Sequence, residues 1–368
     1  MTSASAHSSG IVEIAPGRNE RGEHVFCVLV KRSYRIAHRQ AAVRAEVDQP
    51  FRMIDEYFDH GEPEWATVAH ESELAPYKPS VDVVVVGKAY ATAGAPTQQM
   101  QVSVALAGRE KTLLVTGDRQ CEHREGLVPG FSDPRPFAEM DLRYDRAYGG
   151  QDQKSLPDIP FFYPRNFMGK GVALRNVAEV IDGLALPNIE DPGDLLTPER
   201  VVIEDPKRWH LQPLPQGFGW RQRTWYPRCA LLGSYPAFLA AGTVTAEERL
   251  GLLPKNHVAL AKQSRLAPFE AHFNNGASLG MIFTSLQADE RITLRGLSPD
   301  GLLDFRLPGD TPKIGLDLGM GLKPLEARMH TVSIRPDHLA LDIVWRGAQV
   351  YPGYQWLPKM TRLHAEVQ

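Results

Sequence analysis

Five short stretches of the chain hold residue types that do chemistry. The sharpest is GASLG (276–280), which fits the G-x-S-x-G pattern of a nucleophile elbow with Ser278 as nucleophile. An elbow needs a buried strand before it and a helix after it, so that a strained turn exposes the hydroxyl. Here HFNN precedes and MIFTSL follows, the context of a loop running into a strand, and with 31 glycines in the chain the pattern also arises from composition alone. A hydrolase built on Ser278 would take its base from His330 or His338 and its third member from Asp304 or Asp342. Metal chemistry has less support: the 12 histidines are scattered without H-E-x-x-H spacing, and CEH (121–123) brings only two ligand types together. MGKG (168–171) lacks the upstream glycine and the hydroxyl residue of a phosphate cradle. No metal site and no other cofactor is predicted.

Two further stretches mix charge with aromatic rings. WRQRTWYPR (220–228) interleaves arginine with tryptophan and tyrosine, a composition that stacks bases in a single-strand groove, packs cation on ring inside a loop, or forms a protein-binding hot spot. DLRYDRAYGGQDQ (141–153) reads at period 2 as a charged strand. Met140, Leu142, Tyr144, Arg146 and Tyr148 share one face, Asp141, Arg143 and Asp145 share the other, and Gly149-Gly150 ends the run. The arginines beside Asp141 and Asp145 keep those carboxylates ionised, which suits ion pairing better than proton transfer. Scaffold, docking surface and catalysis stay open for this stretch, in that order of weight.

The elements that position these residues are mostly strands. Period-2 alternation marks residues 24–36, 81–90 and 101–119, with a hairpin turn at AGRE (107–110). It returns at 291–307, turning at 298–301, and at HLALDIVW, where Leu339, Leu341, Ile343 and Trp345 share a face. Between the two β regions, residues 121–228 are rich in Pro and Gly and carry no sustained period; a connection that long must be ordered by packing on the strands. Helix signals are few: residues 62–74, and a capping box at Thr245 and Glu248. The expected fold is mainly β, sandwich-like antiparallel sheets with a few short helices and a long Pro/Gly-rich central region, the two β regions forming separate sheets. The expected organisation is a disordered tail (1–19), a single domain (20–350; strand-rich 20–119, loop-rich 120–260, strand-rich 261–350) and a C-terminal extension (351–368).

Composition narrows the function classes. A chain of 368 residues, 43% hydrophobic, is long enough to bury a large core without disulfide or metal staples. A net charge of -3 supplies no basic field for phosphate backbones, so nucleic acid is not an expected partner. Three widely spaced cysteines form no disulfide framework and fit a reducing compartment. MTSASAHSSG lacks the basic-then-apolar build of a secretory signal, and ALLGSYPAFLAAG (230–242) is too short to span a bilayer. A cytoplasmic protein without membrane contact is expected.

Several motifs in fixed order resemble a known family. YKPSVDVVVVGKAYA (77–91), LRYDRAYGG (142–150), NFMGKG (166–171), LPNIE (186–190), PQGFG (215–219), and YPR before LLGSY (226–235) are similar to the bacterial domain of unknown function 2169 family. The GLSPDGLLDFRLP hairpin (296–308) and VWRG (344–347) fit its distal part, so the resemblance covers about residues 20–350. It implies a cytoplasmic adaptor or chaperone that binds a type VI secretion effector, often one carrying PAAR, and loads it onto the VgrG spike. The chain departs from similar proteins at FNNGASLG (273–280), where Asn275 and Ala277 remain but a proline and an aspartate are missing, which bears on any partner contact by that loop. The residues expected to meet a partner are Arg143, Asp145, Arg146, Tyr148, Trp220, Trp225 and Arg228. Rival readings are the Ser278 hydrolase and a carbohydrate-binding sandwich using exposed Trp and Tyr.

Overall fold

Alternation of apolar side chains produces the long strands of the protein, whose computed structural model describes residues 11–58, 66–75, 77–156, 160–232, 271–318, 321–351 and 362–367. The principal strands in chain order are β1 (Ile11–Arg18), β2 (His24–Arg35), β3 (Val81–Val85), β4 (Gln99–Leu106), β5 (Arg109–Thr116), β6 (Ile189–Glu190) and β7 (Ile282–Phe283). They continue with β8 (Arg291–Arg295), β9 (Leu302–Arg306), β10 (Pro312–Asp317), β11 (Arg328–Arg335), β12 (Ala340–Val350) and β13 (Arg362–Val367). The first sheet runs β1-β2-β12-β11-β3-β7 and the second β6-β5-β4-β8-β9. Pairing is antiparallel except where β11 lies parallel to β3, and where Gln40–Ala41 joins the edge of β9 in parallel.

The two sheets close on one core. Val83, Val85, Val332, Ile334, Leu341 and Ile343 from the first meet Val102, Val104, Leu113, Ile292, Leu294 and Phe305 from the second, all buried. This is the mainly β, sandwich-like layout that the alternation predicts. The two β regions do not form separate sheets, however. Each sheet takes strands from both, because β12 and β11 pair with β2 and β3 while β8 pairs with β4. Edge hydrogen-bonding groups on an early strand are satisfied by a late one, a long-range pairing that local pattern does not encode. Leu339 departs from its expected face; it takes a left-handed φ of 48° at the turn before β12 and stays exposed.

Two segments differ from expectation in kind, and a third gains a structure that the sequence left open. Ile11–Arg18, inside the anticipated tail, pairs with β2 along its whole length. Arg362–Val367, inside the anticipated extension, pairs with β10. The helix expected over 62–74 is absent from its described part: Val68–His70 is a strand paired with Glu56–Tyr57, and Glu71 and Glu73 then turn inward toward arginine and lysine. The Thr245–Glu248 capping box lies outside the described residues. The hairpin at 107–108 is a two-residue turn with Ala107 at φ 48° and Gly108 at φ 71°, joining β4 to β5 in tight register. Among the described residues, no helix is long and apolar enough to cross a membrane.

The central region builds a second core of its own. Tyr148, Tyr163, Leu174, Ile181, Val201, Trp209 and Tyr226 are buried together, although they sit on a two-residue strand, a 3-10 turn, a four-residue helix and loops. Tyr163 meets Tyr148 and Trp209 edge to face at 5.1 and 6.3 Å, and Trp209 meets Tyr226 at 5.1 Å. Aromatic mass here replaces the ladder that holds the sandwich.

Candidate functional site

The stretch 141–153 does not form one strand. Glu139–Asp141 pairs with Lys88–Tyr90, Tyr144–Arg146 makes a 3-10 turn, and Tyr148–Gly149 pairs in parallel with Lys170–Gly171. The period-2 face breaks at that turn: Tyr144 and Tyr148 go into the two cores while Arg143, Asp145 and Arg146 stay partly exposed. Glycine decides the crossing. Gly149 sits at φ 145°, and a Cβ there would run into the Asn166 carbonyl; a Cβ on Gly169 would stand 2.5 Å from the Ala147 oxygen.

Two asparagines lock the crossing. Asn166 Nδ2 donates to the carbonyls of Tyr144 (2.7 Å) and Tyr148 (3.1 Å), and the Asn166 carbonyl accepts from the Gly150 N–H (2.8 Å). Asn188 N–H donates to the Arg146 carbonyl (2.7 Å), and its side-chain amide donates to Thr116 O and Asp118 Oδ1, each at 3.0 Å. Its Oδ1 accepts from Lys170 Nζ at 3.1 Å and from Arg146 Nη1 at 3.5 Å. Three loop segments distant in sequence, 142–150, 166–171 and 186–190, are thereby clamped to the end of β5. Such side-chain-to-backbone bonds stand in for a ladder where the backbone is irregular.

The outward side of this clamp is a polar cleft of 380 Å³ lined by Asp118, Arg119, Gln120, Ser132, Asp133, Arg135, Lys170, Gly183, Ala185 and Leu186. Arg146 stands at its edge, 3.6 Å from Asp118, and Lys170 lies 4.0 Å from the same carboxylate. Their side chains are 30% and 28% exposed and that of Asp118 61%, so all three are reachable from solvent. Burial first, then the charge of Arg146, holds the Lys170 ammonium below its usual pKa. Arg119 pairs with Glu190 and lies over the Phe131 ring at 5.5 Å.

The other expected contact residues are interior. Trp220 and Trp225 are buried in the sandwich core; Trp225 meets Tyr144 and Phe167 edge to face, and Lys78 lies over Trp220 at 4.9 Å. Arg228 is buried, pairs with Glu71, and donates to the Phe273 carbonyl at 2.8 Å. Tyr148 is buried in the second core. A partner touching the surface as it stands does not reach these four. Arg143 pairs with Asp145 and lies over the Phe58 ring at 5.0 Å, so of the seven residues only Arg143, Asp145 and Arg146 face outward, and Arg146 alone joins the cleft edge. Lys170, Asp118 and Asn188 were missed by reading residue types, although Lys170 and Asn188 lie inside two of the ordered motifs. Exposed large apolar side chains occur separately at Val43, Val47, Met53 and Ile54.

Ser278 is fully buried, in a loop that enters the short β7 and not a helix. Its hydroxyl donates to Gly217 O at 2.5 Å and accepts from Lys111 Nζ at 3.0 Å. Lys111 Nζ also donates to Gly217 O and Leu279 O, both at 2.7 Å, which uses every hydrogen of the ammonium even though burial pulls its pKa down to about 7. None of the four expected helpers bonds to Ser278. His330 bonds Thr331 and the Ala75 carbonyl, Asp304 pairs with Arg291, Asp342 accepts from Ser33 and Arg335, and His338 lies in the 336–338 turn. Asn275 and Gly276 in the same loop are held by Asp82, at 3.0 and 2.9 Å, so the segment that departs from the family pattern faces inward. Among the described residues there is no group of three or more His, Cys, Asp or Glu placed to hold a metal ion.

Residues 21–346 match the family described as "uncharacterized protein conserved in bacteria (DUF2169)", and with most of its length covered the chain belongs to that family. No curated protein and no solved structure matches it.

Proposed function

For this member of the family, we propose a non-enzymatic role as a bacterial cytoplasmic adaptor: it binds a type VI secretion effector, often one with a PAAR region, and passes it to the VgrG spike. The secretion-system part of this reading comes from the resemblance of the ordered motifs. The observation that supports an adaptor is the clamp itself. Three motif segments spend their asparagines and glycines on fixing one another, and what they leave at the surface is a charged cleft edge, Arg146 and Lys170 around Asp118. Rigid loops on a scaffold that offer charge outward suit recognition of another protein. The Ser278 hydroxyl, sealed and bonded to a backbone carbonyl, lacks the open approach that an acyl-transfer nucleophile needs.

Affinity purification of the tagged protein from its own cells, with mass spectrometry of what co-elutes, tests the reading. A near-stoichiometric effector, PAAR or VgrG protein is the expected result. A clean monomer in cells that express the secretion genes contradicts it. A serine-reactive fluorophosphonate separates the hydrolase rival: the adaptor leaves wild type unlabelled, and labelling lost in Ser278→Ala would make it an enzyme.

A further inference from the structure

The cleft edge holds more positive charge than its own carboxylates neutralise. Arg119, Arg135, Arg143, Arg146 and Lys170 stand against Asp118, Asp133, Asp145 and Glu190, five cations to four anions, and Glu190 is already committed to Arg119 and Asp145 to Arg143. Arg146 and Lys170 share one carboxylate at 3.6 and 4.0 Å, distances too long for full hydrogen bonds. Each spends one donor on the same Asn188 oxygen. Among the described residues, the guanidinium and the ammonium keep further N–H groups without a hydrogen-bond partner. Their starting points are fixed: Asn188 is held by Thr116 and the Arg146 carbonyl, and the Lys170 backbone by pairing of its strand with Tyr148–Gly149. Two cations with unspent donors, one wall of a concave polar surface behind them, share the single Asp118 carboxylate, which does not neutralise both. The site is pre-organised for a carboxylate.

We propose that this cleft is an anion-recognition site whose occupant is an aspartate or glutamate side chain on an extended acidic segment of a protein partner, bridged by Arg146 and Lys170 with Arg135 at the rim. One surplus positive charge matches one carboxylate. A cleft of 380 Å³ admits one or two side chains and not a folded surface. The source of the carboxylate rests on the adaptor reading; the recognition chemistry rests on the geometry alone.

The test is fluorescence anisotropy of the full-length protein with a labelled glycine-flanked tetraglutamate peptide, its tetraglutamine counterpart, and inorganic phosphate as competitor. The tetraglutamate peptide binds, the tetraglutamine peptide does not, and binding weakens as salt rises. Lys170→Gln and Arg146→Gln each weaken binding roughly tenfold, the loss expected for one charge-assisted hydrogen bond. Thermal melts confirm that the variants fold; Arg135→Glu, at an exposed residue, serves if either does not. Equal binding of both peptides, binding unchanged in the variants, no binding, or displacement by phosphate with no preference for glutamate overturns the proposal. Because the peptide assay needs no effector, its failure is distinguishable from failure of the adaptor reading, which appears as an absent co-eluting protein while the peptide still binds.

Discussion

The sandwich and the central region solve the same problem of burying apolar surface by different means. In the sandwich, β2 and β12 pair over eleven residues, and the ladder satisfies the backbone whatever the side chains are. In the centre, between about residues 118 and 232, strands are two or three residues long, and single side chains satisfy the backbone instead: Asn166 and Asn188, and Asp152, which accepts from the N–H groups of Lys154, Ser155 and Leu174 at 2.8–2.9 Å. Stability in the sandwich is therefore spread over many equivalent contacts. In the centre it is concentrated on a few residues with no substitute, and one of them, Asn188, also holds the cleft edge.

This contrast predicts a hierarchy. The largest loss is at Gly149→Ala, which places a Cβ against the Asn166 carbonyl in a left-handed backbone; a denaturant titration should show about 3 kcal/mol or more, or no folded protein. Next is Asn166→Ala, which strips a donor from two buried carbonyls and should cost about 2–4 kcal/mol. Hydrogen exchange in that variant should rise across 142–190 while β4, β5 and β12 stay protected; uniform loss of protection would mean the two regions unfold as one. Ile334→Val in the sandwich core should cost only about 1 kcal/mol, and a larger penalty than that of Asn166→Ala would reverse the comparison.

Two smaller effects sharpen it. His70, on the segment flanking the sandwich, is pushed down to about 3 by burial, with Arg52, Arg335 and Lys31 adding to the shift. Between the ordinary histidine value of about 6.5 and that folded value, the unfolded chain holds a proton that the native state refuses, so stability falls as pH drops through this window. The contribution is below about 1 kcal/mol at pH 6 and grows in acid. His70→Gln should flatten the acid limb of a stability–pH profile. Smallest is Ala107→Gly, which relieves a positive φ in the β4–β5 turn and should stabilise by about 0.5 kcal/mol in the same titration.

The same division explains what was legible. Alternation in 24–35, 99–116, 291–306 and 340–350 announces strands; the 291–306 hairpin buries one side chain in two, while the central strands β2 and β12 bury consecutive residues on both faces. It carries no information about partners, so the interleaving of early and late strands is invisible to it. In the centre the determinants are isolated residues such as Gly149, Asn166 and Asn188, whose roles exist only once distant loops meet. Tyr148, Trp220, Trp225 and Arg228 read as contacts by type, because hot spots use Trp, Tyr and Arg, but interiors stack the same side chains, and here burial wins. Lys170 lies in a motif whose role its residue types do not reveal, and Asp118 has no distinguishing neighbours in sequence; only the fold sets them beside Arg146.

The central claim is that partner recognition belongs to the loop-built centre. Hydrogen–deuterium exchange of the protein alone and with its co-purified partner tests it most directly. The account predicts new protection at 118–120, 132–135, 143–146 and around Lys170, with β8, β9 and the 43–54 segment unchanged. Protection confined to 43–54 or to the sandwich strands, with the cleft exchanging as in the free protein, would contradict it.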